Sequence, residues 1–479
     1  MSHSPSATRA VVDFVERMRF ASLPREVVRA AKRHILDSLA VTLGGVSNDA
    51  TRITHAIVEA QGGATDAHAI GTTWRGPVPS VALVNGVAGH VLDYDDTQLA
   101  THKEAVYGLL THPSVPCLAA ALPFAEARHR SGRELIAAFA VGTEVECRLA
   151  DASFPRHYYE GFHSSGTFGH FASVVATAML AGLRGDALAR AIGLAAAQAA
   201  GLREHFGTMA KSFHVGKAAS NGVLATLFAE RGFTAAPDIL EAPRGFYQAS
   251  SGGFYDQKLV PRLGNPWFYI DPGVSIKPHP SGSLTHPAMT LLARLVADNG
   301  IRADQVALIN VGTNKYMPNA LKHPRPTTEL EAKFSMQFCL AILLIEGRAG
   351  IAHFTDDATR RADVRALIEK IDFSVDDELE SRGYDQMWTR LDLHLLDGRT
   401  ISGETRVGRG HPDDPMSDEE LAAKCHECAG SLLSPGAIDR TVDLVFGLEH
   451  EADVRRLVAA FTPGDPAAPA TVGQRPGGQ

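Results

Sequence analysis

The sequence predicts a mainly α protein that carries a smaller α+β portion. Two observations predict it. No stretch of the first 270 residues alternates apolar and polar at period two, whereas three Ala- and Gly-rich stretches between 166 and 232 read as interior helices of a bundle. Strand-like runs begin only after about residue 270, at 305–313 and 388–407. The expected organisation is therefore a helical domain over 1–273, an α+β domain over 274–408, a helical return over 409–463 and a disordered tail over 464–479.

Taken in order, Pro24 and Gly44-Gly45 bracket an apolar pattern (Val27, Val28, Ala31, Ile35, Leu39, Leu43), Pro at the start and Gly at the end of a helix. A Gly- and Thr-rich loop over 62–79 then feeds a helix expected to carry Asp93. At 100° per residue, Val84, Val87, Ala88 and Val91 share one stripe of that helix, and Gly86, His90, Asp93 and Thr97 the opposite one. Helices follow over 115–127 and 131–150, the second opened by a Ser131/Glu134 capping box. Past 270, helical patterns lie at 328–346 and 363–372, and a hairpin turns at Asp397-Gly398. Ser417 with Glu420 caps the returning helix.

With 479 residues, 45% apolar and 21% charged, the composition is that of a globular protein with a sizeable core. A net charge of −8 gives no footprint for nucleic acid or an anionic membrane, so an anion must be held by a local cluster of cations. The apolar run over 171–183 is too short to span a bilayer, and the charged N-terminus is no secretory signal. These point to a cytoplasmic protein without membrane or nucleic-acid partners. Five scattered cysteines read as reduced thiols; Cys425 and Cys428, on one helical face with Leu421, read as core rather than as half a zinc site.

The chemistry-bearing residues cluster. The stretch 85–117 holds Asp93, Asp95 and Asp96 between His90 and His112. Four further stretches set titratable side chains among Gly, Ser, Thr and Pro where loops enter helices. They are His112-Pro113-Ser114, 161–167 around His163, 211–216 with Lys211 and His214 before a buried helix, and 275–287 with Lys277, His279 and His286. Lysines, histidines and a carboxylate on loops entering apolar helices are the equipment for holding a small polycarboxylate and moving a proton.

HVLDYDDT, HPS, GFHSSGTFG, MAKSFHVGKAASNG, SIKPHPSGSLTHP and EAKFS occur in the order found in the MmgE/PrpD family, which the chain resembles from about residue 10 to about 462. That family includes 2-methylcitrate dehydratase, cis-aconitate decarboxylase and iminodisuccinate epimerase. The resemblance implies a large all-helical bundle domain formed by both chain ends, an inserted smaller α+β lid domain, and a site in the cleft between them. It also implies a homodimer needing no organic cofactor and no metal. Carried across, the catalytic positions fall on Asp93, His112, His163, Lys211 and Lys277, with Thr97, His214, His279 and His286 expected to bind substrate. Two departures stand out. A longer segment after Thr97 makes His102 compete with His112, and PHPSGS after Lys277 lacks a histidine that the decarboxylases place a few residues beyond their lysine.

The expected reaction is proton transfer next to a carboxylate. Lys211 and Lys277 stabilise the developing charge, His163 and His112 are the candidate general base and general acid, in either order, and Asp93 orients a histidine or lysine. The same residues serve a dehydratase, a decarboxylase or an epimerase (isomerase). Two rivals remain: Asp93, Asp95 and Asp96 as Mg²⁺ ligands of a prenyl-transfer fold, and a family member that only binds its ligand.

Overall fold

The computed structural model describes residues 6–99 and 109–463. His102 and the tail over 464–479 lie outside the described residues. The protein is mainly α. Its longest helices are Arg25–Gly45, Gly132–Ala152 and Ala210–Glu230, joined in one apolar cluster by Val78–Val91, Ser114–Ala127 and Gly169–Ala181. Val78–Val91, Ser114–Ala127 and Gly169–Ala181 are almost wholly apolar, and nearly all of their side chains are buried. The cluster also takes in side chains from Met416 to Phe461, from helices that follow the α+β portion.

A second apolar cluster gathers Leu99 and residues from Leu284 to Leu395. At its centre is a four-stranded sheet in the order Ile371–Val375, Val306–Thr313, Thr389–Leu395, Thr400–Thr405; the first pair is parallel and the rest antiparallel. In Thr389–Leu395, Leu391, Leu393 and Leu395 alternate inward at period two. Helices His286–Asn299 and Met336–Glu346 pack against this sheet. Asp397-Gly398 lies between the two arms of the hairpin, with Gly398 at φ +90°.

Both expected capping boxes form, at Ser131/Glu134 and Ser417/Glu420. Cys425 and Cys428 are free and buried in the core. Three local expectations are corrected. A two-residue ribbon, Ala67–His68 with Arg75–Gly76, interrupts the otherwise helical first part. The pattern over 363–372 is split between the helix Ala362–Ile368 and the edge strand Ile371–Val375. The helix meant to carry Asp93 stops at Val91, so Asp93 and Thr97 leave its stripe altogether. No helix among the described residues is long and apolar enough to cross a membrane.

Candidate functional site

The site is assembled by a helix crossing. Val78–Val91 and Ala210–Glu230 approach so closely that a Cβ on Gly86 would stand 2.7 Å from the Gly216 Cα. The contact brings the C-terminal end of the first helix, with His90, to the first turn of the second, with Lys211. Lys211 and His214 thus sit inside a helix rather than before one. Past His90 the chain turns sharply, with Asp93 at φ +52°. It bends again at Asp95 and reaches Thr97, which exchanges two backbone hydrogen bonds with Ser275, each 2.9 Å. That exchange sets Lys277 beside Asp93.

Asp93 is buried, and its Oδ1 accepts hydrogen bonds from Lys211 Nζ at 2.7 Å and Lys277 Nζ at 3.1 Å. Burial alone would raise its pKa, but Lys211 and Lys277 outweigh that and hold it well below the ordinary value. Burial pushes Lys277 down, against the pull of Asp93 and Asp95. Two buried ammoniums sharing one carboxylate oxygen leave a positive charge unmatched within the trio, and such a charge calls for an incoming anion.

Asp95 does different work. It lies 2.8 Å from His90 Nδ1 and 3.3 Å from His112 Nδ1, both through Oδ2. Burial would raise its pKa, and the two imidazoles hold it well below instead. An ionised carboxylate only accepts, so each histidine presents an Nδ1–H to it and turns its Nε2 the other way. His90 Nε2 then lies 3.0 Å from Lys211 Nζ, and His112 Nε2 3.9 Å from Asp93 Oδ1. Burial lowers His90 to about 3, so the ring is neutral and accepts from Lys211. These three side chains are also a donor set that an ion could use, their ligand atoms lying within 4.8 Å of one another.

His163 stands across the chamber. Its Nδ1 is 3.2 Å from His214 Nδ1, and its buried Nε2 has no hydrogen-bond partner. Burial first, then Lys211 and His90, hold it well below its ordinary value. It is a neutral imidazole whose Nε2 is unpartnered.

Asp93, Thr97, His112, His163, Lys211 and Lys277 line one cavity of about 60 Å³ together with Leu110, Phe206, Leu284, Leu321 and Phe334, the rings of Phe206 and Phe334 lying 5.5 and 5.7 Å from Lys211 Nζ. His214, His279 and His286 are not among its walls. His214 lies behind His163, His279 Nδ1 is turned to the Ala349 carbonyl at 3.0 Å, and His286 is buried with its ring 5.6 Å from that of His279. The three carboxylates of 93–96 do not converge as Mg²⁺ ligands should. Asp93 goes to the lysines, Asp95 to the histidines, and Asp96 to His34 at 2.6 Å and to Ser114.

The sequence reading left out His90 and Asp95 as site residues, although both stand in the motif, because their pairing depends on the turn at Asp93. It also left out two buried lysines. Lys333 donates to the Val91 carbonyl at 3.2 Å, and Lys424 to the carbonyls of Tyr94 and Lys277 at 2.7 and 2.9 Å. EAKFS carried Lys333 in plain view; nothing in the amphipathic pattern around Lys424 marks it.

An unpartnered neutral imidazole beside two lysines is equipped to exchange a proton as well as to meet a ligand, so the chamber suits an enzyme. Comparison with known families shows which kind. The MmgE/PrpD N-terminal domain matches residues 9–257 and the MmgE/PrpD C-terminal domain residues 279–448, and the chain belongs to that family. It is similar to the cis-aconitate decarboxylases of Homo sapiens (27% identical over 470 residues, 94% of this chain and 93% of that one) and Mus musculus (27% over 468 residues, 94% and 92%). The cis-aconitate decarboxylase of Aspergillus terreus is 26% identical over 348 residues, 68% of this chain and 70% of the relative.

Proposed function

We propose that the protein is a cofactor-independent lyase that removes water or CO₂ from a small di- or tricarboxylate. The observation that carries this is the Lys211–Asp93–Lys277 trio facing the unpartnered Nε2 of His163 in one buried cavity. The substrate's carboxylates take the lysines, whose unmatched charge they complete. In loss of water, His163 removes the proton next to a carboxylate, and His112 protonates the departing hydroxyl. In loss of CO₂, the electron pair left on carbon spreads toward the neighbouring carboxylate, and one of the same imidazoles delivers the proton that replaces it. Both routes gather negative charge where the lysines already stand, which favours the transition state over the bound ground state. Decarboxylase relatives that span almost the whole chain support the same reaction class, and cis-aconitate is the first acid to try.

In this reading the stretch 274–408 is a lid: it brings Lys277 and its own apolar cluster to the chamber that the helices supply. A homodimer and a cytoplasmic location belong to the reading as well. Phe213, Phe228 and Phe233 expose their rings, and five free, buried cysteines suit a reducing compartment. Light scattering tests the dimer.

The deciding experiment follows 2-methylcitrate, citrate, cis-aconitate and iminodisuccinate by NMR in heavy water, beside Lys211→Ala and His163→Ala. Loss of water or CO₂ from one acid, absent in both variants, is the expected result. Deuterium exchange without net loss replaces the lyase by an epimerase, and silence across the panel overturns the substrate class.

A further inference from the structure

Three imidazoles run from the chamber toward the surface. His163 is 1% exposed, His214 is half-buried and His205 is exposed. The Nδ1 atoms of His163 and His214 lie 3.2 Å apart, and the rings of His214 and His205 meet edge-on with centres 5.5 Å apart. Two features of the chain build this row. His163 N–H donates to the Gly201 carbonyl at 3.0 Å and Arg203 N–H to the Gly161 carbonyl at 2.8 Å, which sets His163 beside the segment that carries His205. His214 enters from the helix Ala210–Glu230, one turn after Lys211, and passes between two glycines. A Cβ on Gly166 would stand 3.0 Å from the His214 Cβ, and one on Gly201 3.3 Å from its Nδ1, so a larger residue at either place would press on the histidine.

Two neutral rings that meet through their Nδ1 atoms share one proton, carried by one and accepted by the other. When His163 carries it, Nε2 of that ring is free to take a proton in the chamber. When His214 carries it, the same Nε2 bears a hydrogen. A single proton on the far side of the ring therefore decides what His163 can do. An imidazolium also costs less at half-buried His214 than at His163, which is shut from water and faces Lys211, His90 and His112. The charged and titratable groups acting on His214 besides His163 are His205 and Lys211.

We propose that His214 is a proton relay that couples His163 to solvent. As the substrate C–H bond breaks, its proton forms the Nε2–H of His163. The Nδ1–H of His163 then breaks and that proton forms the Nδ1–H of His214, whose own Nε2–H breaks and gives its proton to water. The base is discharged while the product is still held, so the proton does not return to carbon. Once the chamber empties, water takes the His163 Nε2 proton and protonates His214 Nε2, and the shared proton slides back. The proposal rests on the reading of His163 as the base in loss of water, in which it gives His214 a positioning role behind the reacting atoms.

His214→Gln keeps an acceptor for the His163 Nδ1–H but passes no proton on, and His214→Ala leaves room for free imidazole. Both are expected to lower kcat about 100-fold with KM within about threefold. Added imidazole is expected to restore His214→Ala at least about tenfold and to leave His214→Gln unchanged. Without any substrate, saturation transfer from water to the His163 ring N–H, read by NMR, is expected to slow at least about tenfold in His214→Gln. Native kcat in His214→Gln, no rescue of His214→Ala or an unchanged exchange rate each overturns the relay. Turnover of the acid panel by the native enzyme separates the two readings. Exchange that His214→Gln slows, with no acid turned over, sinks the lyase and keeps the relay; turnover with exchange and kcat unmoved by His214→Gln does the reverse.

Discussion

Lys277 binds Asp93 twice, through the carboxylate Oδ1 at 3.1 Å and through the main-chain carbonyl of the same residue at 2.8 Å. The double grip follows from the left-handed backbone at Asp93, a conformation that Asp and Asn adopt more readily than other non-glycine residues. Asp93→Asn should therefore keep the turn while removing the charge that Lys211 and Lys277 share. Two buried ammoniums without their anion are expected to cost about 3–5 kcal/mol of stability. Activity is expected to fall at least about 100-fold, since the lysines lose their fixed positions. Chemical denaturation and kcat/KM on the acid identified by NMR check both; a variant as stable and as active as the native enzyme refutes the account.

Asp95 holds His90 and His112 by the same oxygen, and that arrangement predicts a different defect. Asp95→Asn keeps the volume but loses the ionised acceptor for two Nδ1–H groups, so one ring must change tautomer or swing away. The expected outcome is a loss in kcat of about 100-fold or more with KM within about threefold, because the lysines that hold the carboxylates are untouched. Steady-state kinetics distinguish this from Lys277→Ala, which should raise KM as well.

The helical part was legible because Ala-, Gly- and Val-rich stretches such as 169–181 have no polar face to give to water, and only a helix interior takes them. The hairpin was legible from its turn. The strand Ile371–Val375 was not, since it follows a helix almost without a break and buries only Ile371 fully. At the site, the motifs named the side chains that line the chamber but not the division of labour between Asp93 and Asp95. That division depends on one positive φ, which no spacing rule reports. The helix reading through Asp93 failed at the same place. Lys424 was illegible for another reason: on an amphipathic helix, an inward lysine looks like any surface lysine until the carbonyls it meets are known.

Acid should weaken the fold through its buried histidines before it touches Asp93 and Asp95, with the raised acid Asp37, at about 6, opposing part of the effect. His90, His163, His170 and His286 are all buried, and burial lowers each of them, His90 to about 3, His170 to about 4 and the other two well below 6.5. Released by unfolding, each binds a proton near 6.5, so the unfolded state takes up protons that the native state refuses. Their stabilisation is complete above about pH 6.5 and is lost as the pH falls, at about 1.4 kcal/mol per unit for each fully shifted group. Asp93 and Asp95, held below 3.8, add their loss only below about pH 4. Thermal melts from pH 8 to 5 should show a fall in Tm beginning near 6.5, with net proton uptake on unfolding, and the fall should steepen in Asp37→Asn, which removes the opposing acid; a flat profile in both proteins contradicts the buried neutral histidines.

Lys424 ties the returning helix to the chamber. Its Nζ donates to the carbonyls of Tyr94 and Lys277 and pairs with Asp37 at 2.6 Å, so it fixes the two chain segments that carry Asp93 and Lys277. Burial raises Asp37 to about 6 even with Lys424 pulling it down. Lys424→Met should therefore strand a buried acid and cost about 3–5 kcal/mol. Adding Asp37→Leu removes the stranded group, and the double variant should recover more than half of that loss, because an apolar pair of similar volume fits where an ion pair stood. Activity should not return with stability, since no apolar side chain can hold the Tyr94 and Lys277 carbonyls together. Denaturation and kcat measured on the single and double variants separate the two effects. Full recovery of kcat in the double variant would show that Lys424 serves the fold alone.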